Sequence, residues 1–148
     1  MSPAGCSEKN EYWMAIAFGQ LGIREKPGPG DNPEIVEMHQ HTTLRAQHDD
    51  VPWCSSFVNS VMDASGHPGT HSAAARSWLQ WGAPTSPRYG CIAVISRGAN
   101  PSLGHVGFYL GPDPADASRF LMLGGNQSDR VDISAFPKSN ILGCRWPA

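Results

Sequence analysis

The chain changes texture at Cys91, and that change constrains its architecture more than any other feature. Before it, apolar residues recur at helical spacing. After it, short apolar runs of strand length alternate with Gly, Pro, Asn and Asp. Tyr12, Trp13, Ile16, Ala17 and Leu21 predict an amphipathic helix over 8–21, with Gly22 as its stop. A turn-rich run over 26–33 follows, and Pro33 suits the first turn of a second helix reaching about His41. A third helix is expected from Asp50, as its cap, to Ala64, with Pro52 in the first turn. Ala73, Ala74 and Ala75 favour a fourth over 72–81, closed by Gly82. Strands are expected over 91–96, 105–110, 119–123, 131–133 and 141–146. Helices first and strands second, with short connections, predict an α+β domain with a mainly antiparallel sheet.

Composition narrows the function classes. A chain of 148 residues with 40% apolar content fits one domain, 1–148, with 1–7 as a polar leader. Eleven Lys and Arg against 13 Asp and Glu leave a net charge of −2 with no basic stripe, so neither nucleic acid nor an anionic membrane is an expected partner. No run approaches the roughly 20 apolar residues of a membrane-spanning helix, and no secretory signal opens the sequence. The expectation is a monomer made in the cytoplasm. The four cysteines form no CxxC pair, which argues against a zinc ribbon and against a disulfide scaffold. Cys6 falls in the leader; Cys91 and Cys144 read as small buried hydrophobes, with a bond between them left open.

Cys54 stands apart because it falls in the first turn of the third predicted helix. Unpaired N–H groups and the helix dipole there favour a thiolate, the nucleophilic form. Its place four residues before Val58 and seven before Val61 turns the sulfur toward the sheet. His105 opens an alternating strand in which His105, Gly107 and Tyr109 share one face, and that face is expected to receive the Cys54 helix, with Gly107 leaving room beside the imidazole. After the next strand comes Gly124-Gly125-Asn126-Gln127. An Asn carbonyl on that turn can accept the imidazole N–H, which makes Asn126 the expected orienter and Gln127 an oxyanion donor. Each residue has a plain structural reading as well: a buried thiol, a core histidine, an ordinary turn. The order Cys, His, Asn at suitable element ends favours nucleophilic catalysis.

These residues resemble small phage-type peptidoglycan hydrolases related to the CHAP and NlpC-type cysteine peptidases. The resemblance is carried by Trp13, Leu21-Gly22, Glu25, the turns over 27–33, Pro52-Trp53-Cys54-Ser55-Ser56-Phe57-Val58-Asn59, Ala75-Arg76-Ser77-Trp78-Leu79, Gly104-His105-Val106-Gly107-Phe108-Tyr109, Leu123-Gly124-Gly125-Asn126-Gln127 and Arg145-Trp146-Pro147. It implies a papain-like core, Cys54 as nucleophile, His105 as general base, Asn126 as orienter, and peptidoglycan as substrate. Many CHAP domains carry a Glu where this chain has Gly124, and the acidic calcium loop of some is absent, since Asp49 and Asp50 supply too few oxygen ligands. Neither a metal nor another cofactor is expected.

The remaining candidates are weaker. His39 and His41 are two apart on a helix and so read as surface residues, while His48, His67 and His71 lie in polar stretches without zinc spacing. Trp53 and Trp78 read as core or as walls of a glycan groove, and Arg76 as a structural ion pair or a substrate-carboxylate partner. The resemblance implies an endolysin-like amidase or endopeptidase that reaches the periplasm and cell wall without a signal peptide. Two rivals are an antibacterial amidase toxin of the same fold, with an immunity protein as partner, and a non-catalytic wall-binding or tail module.

Overall fold

Helix α1 (Tyr12–Gly19) buries Trp13, Met14 and Ala17 and leaves Tyr12 exposed. It belongs to a computed structural model that describes residues 12–148, so Cys6, the leader and residues 8–11 of the first expected helix lie outside the described residues. Gly22 ends this segment at φ 92°, a conformation that costs glycine little. The Pro/Gly loop that follows is pinned by the buried Asp49, whose Oδ2 accepts backbone N–H bonds from Lys26 at 2.8 Å and Asn32 at 2.7 Å. Helix α2 (Pro33–His39) then starts as expected, with Asn32 accepting from the Glu34 N–H as its cap and proline in the first turn.

Helix α3 (Cys54–Ala64) starts later than the sequence suggests. Trp53, not Asp50, is its N-cap residue, and no side chain caps it. Residues before Trp53 form turns and bends, and Cys54 becomes the first helical residue. The expected fourth helix is a shorter 3-10 segment, Ala75–Gln80, which still ends just before Gly82 at φ 59°.

The second half forms β1 (Ala83–Thr85), β2 (Ile92–Ser96), β3 (Gly104–Asp113), β4 (Asp116–Gln127), β5 (Arg130–Pro137) and β6 (Ile141–Trp146). All pairings in this six-stranded sheet, ordered β1-β6-β2-β3-β4-β5, are antiparallel. The architecture is α+β, with N-terminal helices on a C-terminal antiparallel sheet. Only β1 was not expected; a strand of three residues carries almost no periodicity.

One connection shows that the sheet curls. A 3-10 turn of three residues, Lys138–Asn140, joins β5 to β6, although β4, β3 and β2 lie between them in the sheet. Flat strands so placed would sit about 19 Å apart at 4.8 Å per step. Four Cα–Cα steps reach no more than about 15 Å. The sheet therefore coils, and its two faces build two cores. The outer face, with Ile92, Val94, Val106, Phe108, Leu123 and Val131, meets Trp13, Ile35, Trp53, Phe57, Met62 and Trp78 of the helical half. The inner face gathers Cys91, Ala93, Ile95, Tyr109, Phe120, Met122 and Cys144, with Phe136 and Ile141 against them. Cys91 and Cys144 are free thiols side by side on this inner face, and Cys144 foremost, then burial, pushes the Cys91 thiol up. Among the described residues no helix is long and apolar enough to cross a membrane.

Candidate active site

Cys54 owes its environment to the uncapped start of α3. It is buried, and its sulfur lies within hydrogen-bonding reach of the His105 imidazole and of the backbone N–H groups of Val106 and Ser55. Burial acts against a thiolate there, but the bonds and positive charge of His105 and the two N–H groups outweigh it and hold the thiol below its ordinary range.

The route by which His105 meets Cys54 differs from the expected one. Val106 and Phe108 face α3, whereas Ile95, opposite His105 in the β2–β3 register, and Tyr109 belong to the inner face. His105 thus stands on the face away from the helices, its ring 5.5 Å from that of Phe136. Contact is still made at the start of β3, ahead of Phe108, the first residue of that strand registered with β4. Nor does Gly107 clear space for the imidazole: a Cβ there would lie 2.8 Å from both the Leu123 oxygen and Met122 Cγ, so its role is to let β4 approach.

The imidazole's second partner is Gln127, not Asn126. His105 Nε2 donates to Gln127 Oε1 at 2.9 Å. The Gln127 amide is fixed in that sense because its Nε2 donates to the Met122 carbonyl at 3.1 Å and the Asp132 carbonyl at 2.7 Å. Buried and fully engaged, Gln127 is not the oxyanion donor the sequence suggested. Strict alternation from Gly124 would have put Asn126 on this face. The register shifts between Gly124 and Gln127, with Asn126 at φ 59°, and that bulge delivers the next residue instead. Gly124 makes the exchange sterically workable. A Cβ there would collide with Gln127 Oε1 and lie 3.5 Å from His105 Nε2, so Gln127 occupies the space that a side chain at position 124 would need.

Burial works against protonation of His105, but its bonds to Cys54 and Gln127 and the negative charge of the sulfur prevail and raise its proton affinity; Arg97 opposes them. The two shifts run toward each other, so each group's surroundings favour its charged form and bias the pair toward thiolate and imidazolium.

The proposed substrate contacts fare differently. Trp53 and Trp78 are both fully buried, Trp53 donating from Nε1 to Glu25 Oε2 at 2.9 Å and Trp78 to Ser55 Oγ at 3.0 Å. They are framework, not groove. Arg76 donates from Nε to the Leu103 carbonyl at 2.6 Å, bracing the loop before β3 rather than pairing with a carboxylate. His39, expected at the surface, is buried on Ser56 at 2.8 Å; His41 is half-buried and His71 exposed, and both bond Asp63. Among the described residues no group of three or more His, Cys, Asp or Glu is arranged to hold a metal ion.

A cavity of about 320 Å³ opens on His105 and is walled in part by Arg97, Asn126, Ser134, Phe136 and Asn140. Sequence reasoning missed Arg97 and Phe136. Arg97 continues the alternation Ile95, Arg97 and was legible in principle; Phe136 comes from a strand whose approach depends on the curl of the sheet.

The CHAP domain family matches residues 46–126, more than half of the chain. The chain belongs to the CHAP domain family. The matched span holds Cys54, His105 and Asn126 and stops just before Gln127. No curated protein matches the chain. Membership in the CHAP family supports a peptidoglycan hydrolase, an amidase or peptidase.

Proposed function

We propose that this CHAP domain is an endolysin-like hydrolase that cuts an amide bond of the peptidoglycan stem peptide through Cys54. The observation that carries the reading is the continuous chain Cys54, His105, Gln127, with a cavity opening on the imidazole. Gln127 accepts a hydrogen bond from Nε2–H, which stays on the ring, and so leaves Nδ1 for the sulfur. The thiolate attacks the amide carbonyl carbon, and the Cys54 backbone N–H, at the uncapped start of α3, meets the developing oxyanion. The imidazolium gives its proton to the leaving amine as the C–N bond breaks, leaving a thioester. A water, deprotonated by His105, then hydrolyses the thioester and restores the thiol. Gln127 holds ring and tautomer throughout, the task the sequence assigned to Asn126. Every step is carried by the chain's own groups and water. The place of action in this reading is the cell wall, reached by the enzyme as a monomer made in the cytoplasm.

The test is turbidity loss of purified sacculi. Wild-type protein clears them, and Cys54→Ala protein does not. Iodoacetamide abolishes the activity with alkylation at Cys54. Equal clearing by wild type and Cys54→Ala, or full loss of activity with labelling confined to Cys6, would end the proposal.

A further inference from the structure

The cavity on His105 has one feature the hydrolytic chemistry does not use. Arg97 lies at its wall, just past the end of β2, and is exposed. None of the residues that wall the cavity is Asp or Glu. Among the described residues the Arg97 guanidinium takes part in no hydrogen bond or ion pair, as holds for Arg24, Arg45 and Arg130 too, but of these four it alone walls the cavity on His105. Its charge also acts on the site, since it opposes protonation of His105. In the free protein Arg97 therefore works against the thiolate–imidazolium pair. A bound anion would cancel that opposition and satisfy a planar donor fork suited to a carboxylate.

The rest of the wall fits a peptide neighbouring such a group. Asn126, Ser134 and Asn140 offer polar contacts, and Phe136 an apolar floor. The cavity's volume of about 320 Å³ lies at the small end of the usual range for ligand sites, roughly 300–1,000 Å³, which suits one or two residues of a stem rather than a folded partner. A peptide carries carboxylates at its C-terminus and on acidic side chains, and conversion to a carboxamide removes the charge that Arg97 would meet.

We propose that Arg97 is the specificity-determining anchor of this cavity, which opens on His105 and is not walled by Cys54, binding a free carboxylate of the stem peptide on the imidazole side of the amide that Cys54 attacks and so selecting stems that are not amidated there. The proposal rests on the hydrolase reading above. It assigns Arg97 to substrate binding and not to the bond-breaking steps.

The experiment compares a soluble muropeptide with free stem carboxylates against the same muropeptide with those carboxylates converted to carboxamides. Wild type prefers the free form by about tenfold or more in kcat/KM, mostly through KM, the range of a charge-assisted hydrogen bond. Arg97→Gln brings the ratio near one, Arg97→Lys keeps part of it, and Arg97→Glu reverses it. A wild-type ratio near one, or an unchanged ratio in Arg97→Gln, overturns the anchor and leaves hydrolysis by Cys54 standing. If wild type cleaves neither muropeptide and does not clear sacculi, the hydrolase reading falls and the anchor falls with it.

Discussion

Gln127 offers the sharpest test of the site, because two substitutions there should move one observable in opposite directions. Its Oε1 accepts from His105 Nε2 at 2.9 Å, and that bond is worth most when the imidazole is charged. A hydrogen bond to a charged group contributes about 1.5–3 kcal/mol. One pKa unit corresponds to about 1.36 kcal/mol. The neutral imidazole donates the same bond at about 0.5–1.5 kcal/mol, so only the difference of about 1–1.5 kcal/mol bears on protonation, and Gln127→Ala lowers the proton affinity of His105 roughly tenfold. In wild type the lowered thiol and the raised imidazole both widen the pH range over which the thiolate–imidazolium form contributes to activity. Its acid limb lies below the ordinary thiol range, and its basic limb lies above the ordinary histidine range; both limbs belong to the coupled pair. Gln127→Ala narrows that window from above, while Gln127→Glu, which sets a carboxylate on the imidazole, extends it. The measurement is the pH dependence of kcat/KM on a muropeptide, with the rate of Cys54 alkylation by iodoacetamide as a check independent of substrate. Both variants lose stability, since the carbonyls of Met122 and Asp132 lose a donor, so the position of the limb is the readout and not the rate alone. A basic limb that stays put in both variants would refute the assignment of Gln127 as the group that holds the imidazole.

Two further substitutions probe the frame around the site. Gly125→Ala places a Cβ 2.7 Å from Phe57 Cβ and 2.8 Å from Trp53 Cε3, so it should cost about 1–3 kcal/mol in chemical denaturation and displace the start of α3 that carries Cys54; unchanged stability would show that this contact gives way freely. Asp63 gathers the Gly69 N–H at 2.9 Å, His41 at 2.8 Å and His71 at 3.1 Å, and although burial resists its charge these partners lower its carboxyl below the usual value. Asp63→Asn should lower the Tm by about 2–8 °C at neutral pH. Because the folded value is the lower one, that difference is complete above the unfolded carboxyl value of about 3.9 and fades as pH falls through the folded one; a gap that persists at pH 2 would contradict it.

Local chemistry made much of this protein readable. The helical spacing around Trp13, Pro33 after Asn32, and the alternating run opened by His105 all became the elements they predict, because each depends on neighbours within a few residues. The position of Cys54 in a first helical turn was equally visible, although its helix begins at Cys54 itself and not at Asp50. Burial of the aromatic side chains was less so. Trp53 could have lined a groove or filled the core, and the choice depended on Glu25, 28 residues away, accepting its indole N–H.

What the amino-acid order determined alone was the kind of each element and the presence of a thiol and an imidazole at element ends. Tertiary structure decided which face meets which partner. A single extra residue in β4 reverses the alternation, so Gln127 stands where Asn126 was expected, and His105 meets Cys54 although its strand position sets it on the face away from the helices. Side-chain alternation is a property of neighbours along one strand, whereas bulges and the curl of a sheet are settled by the packing of several strands together, and no window along the sequence contains that information.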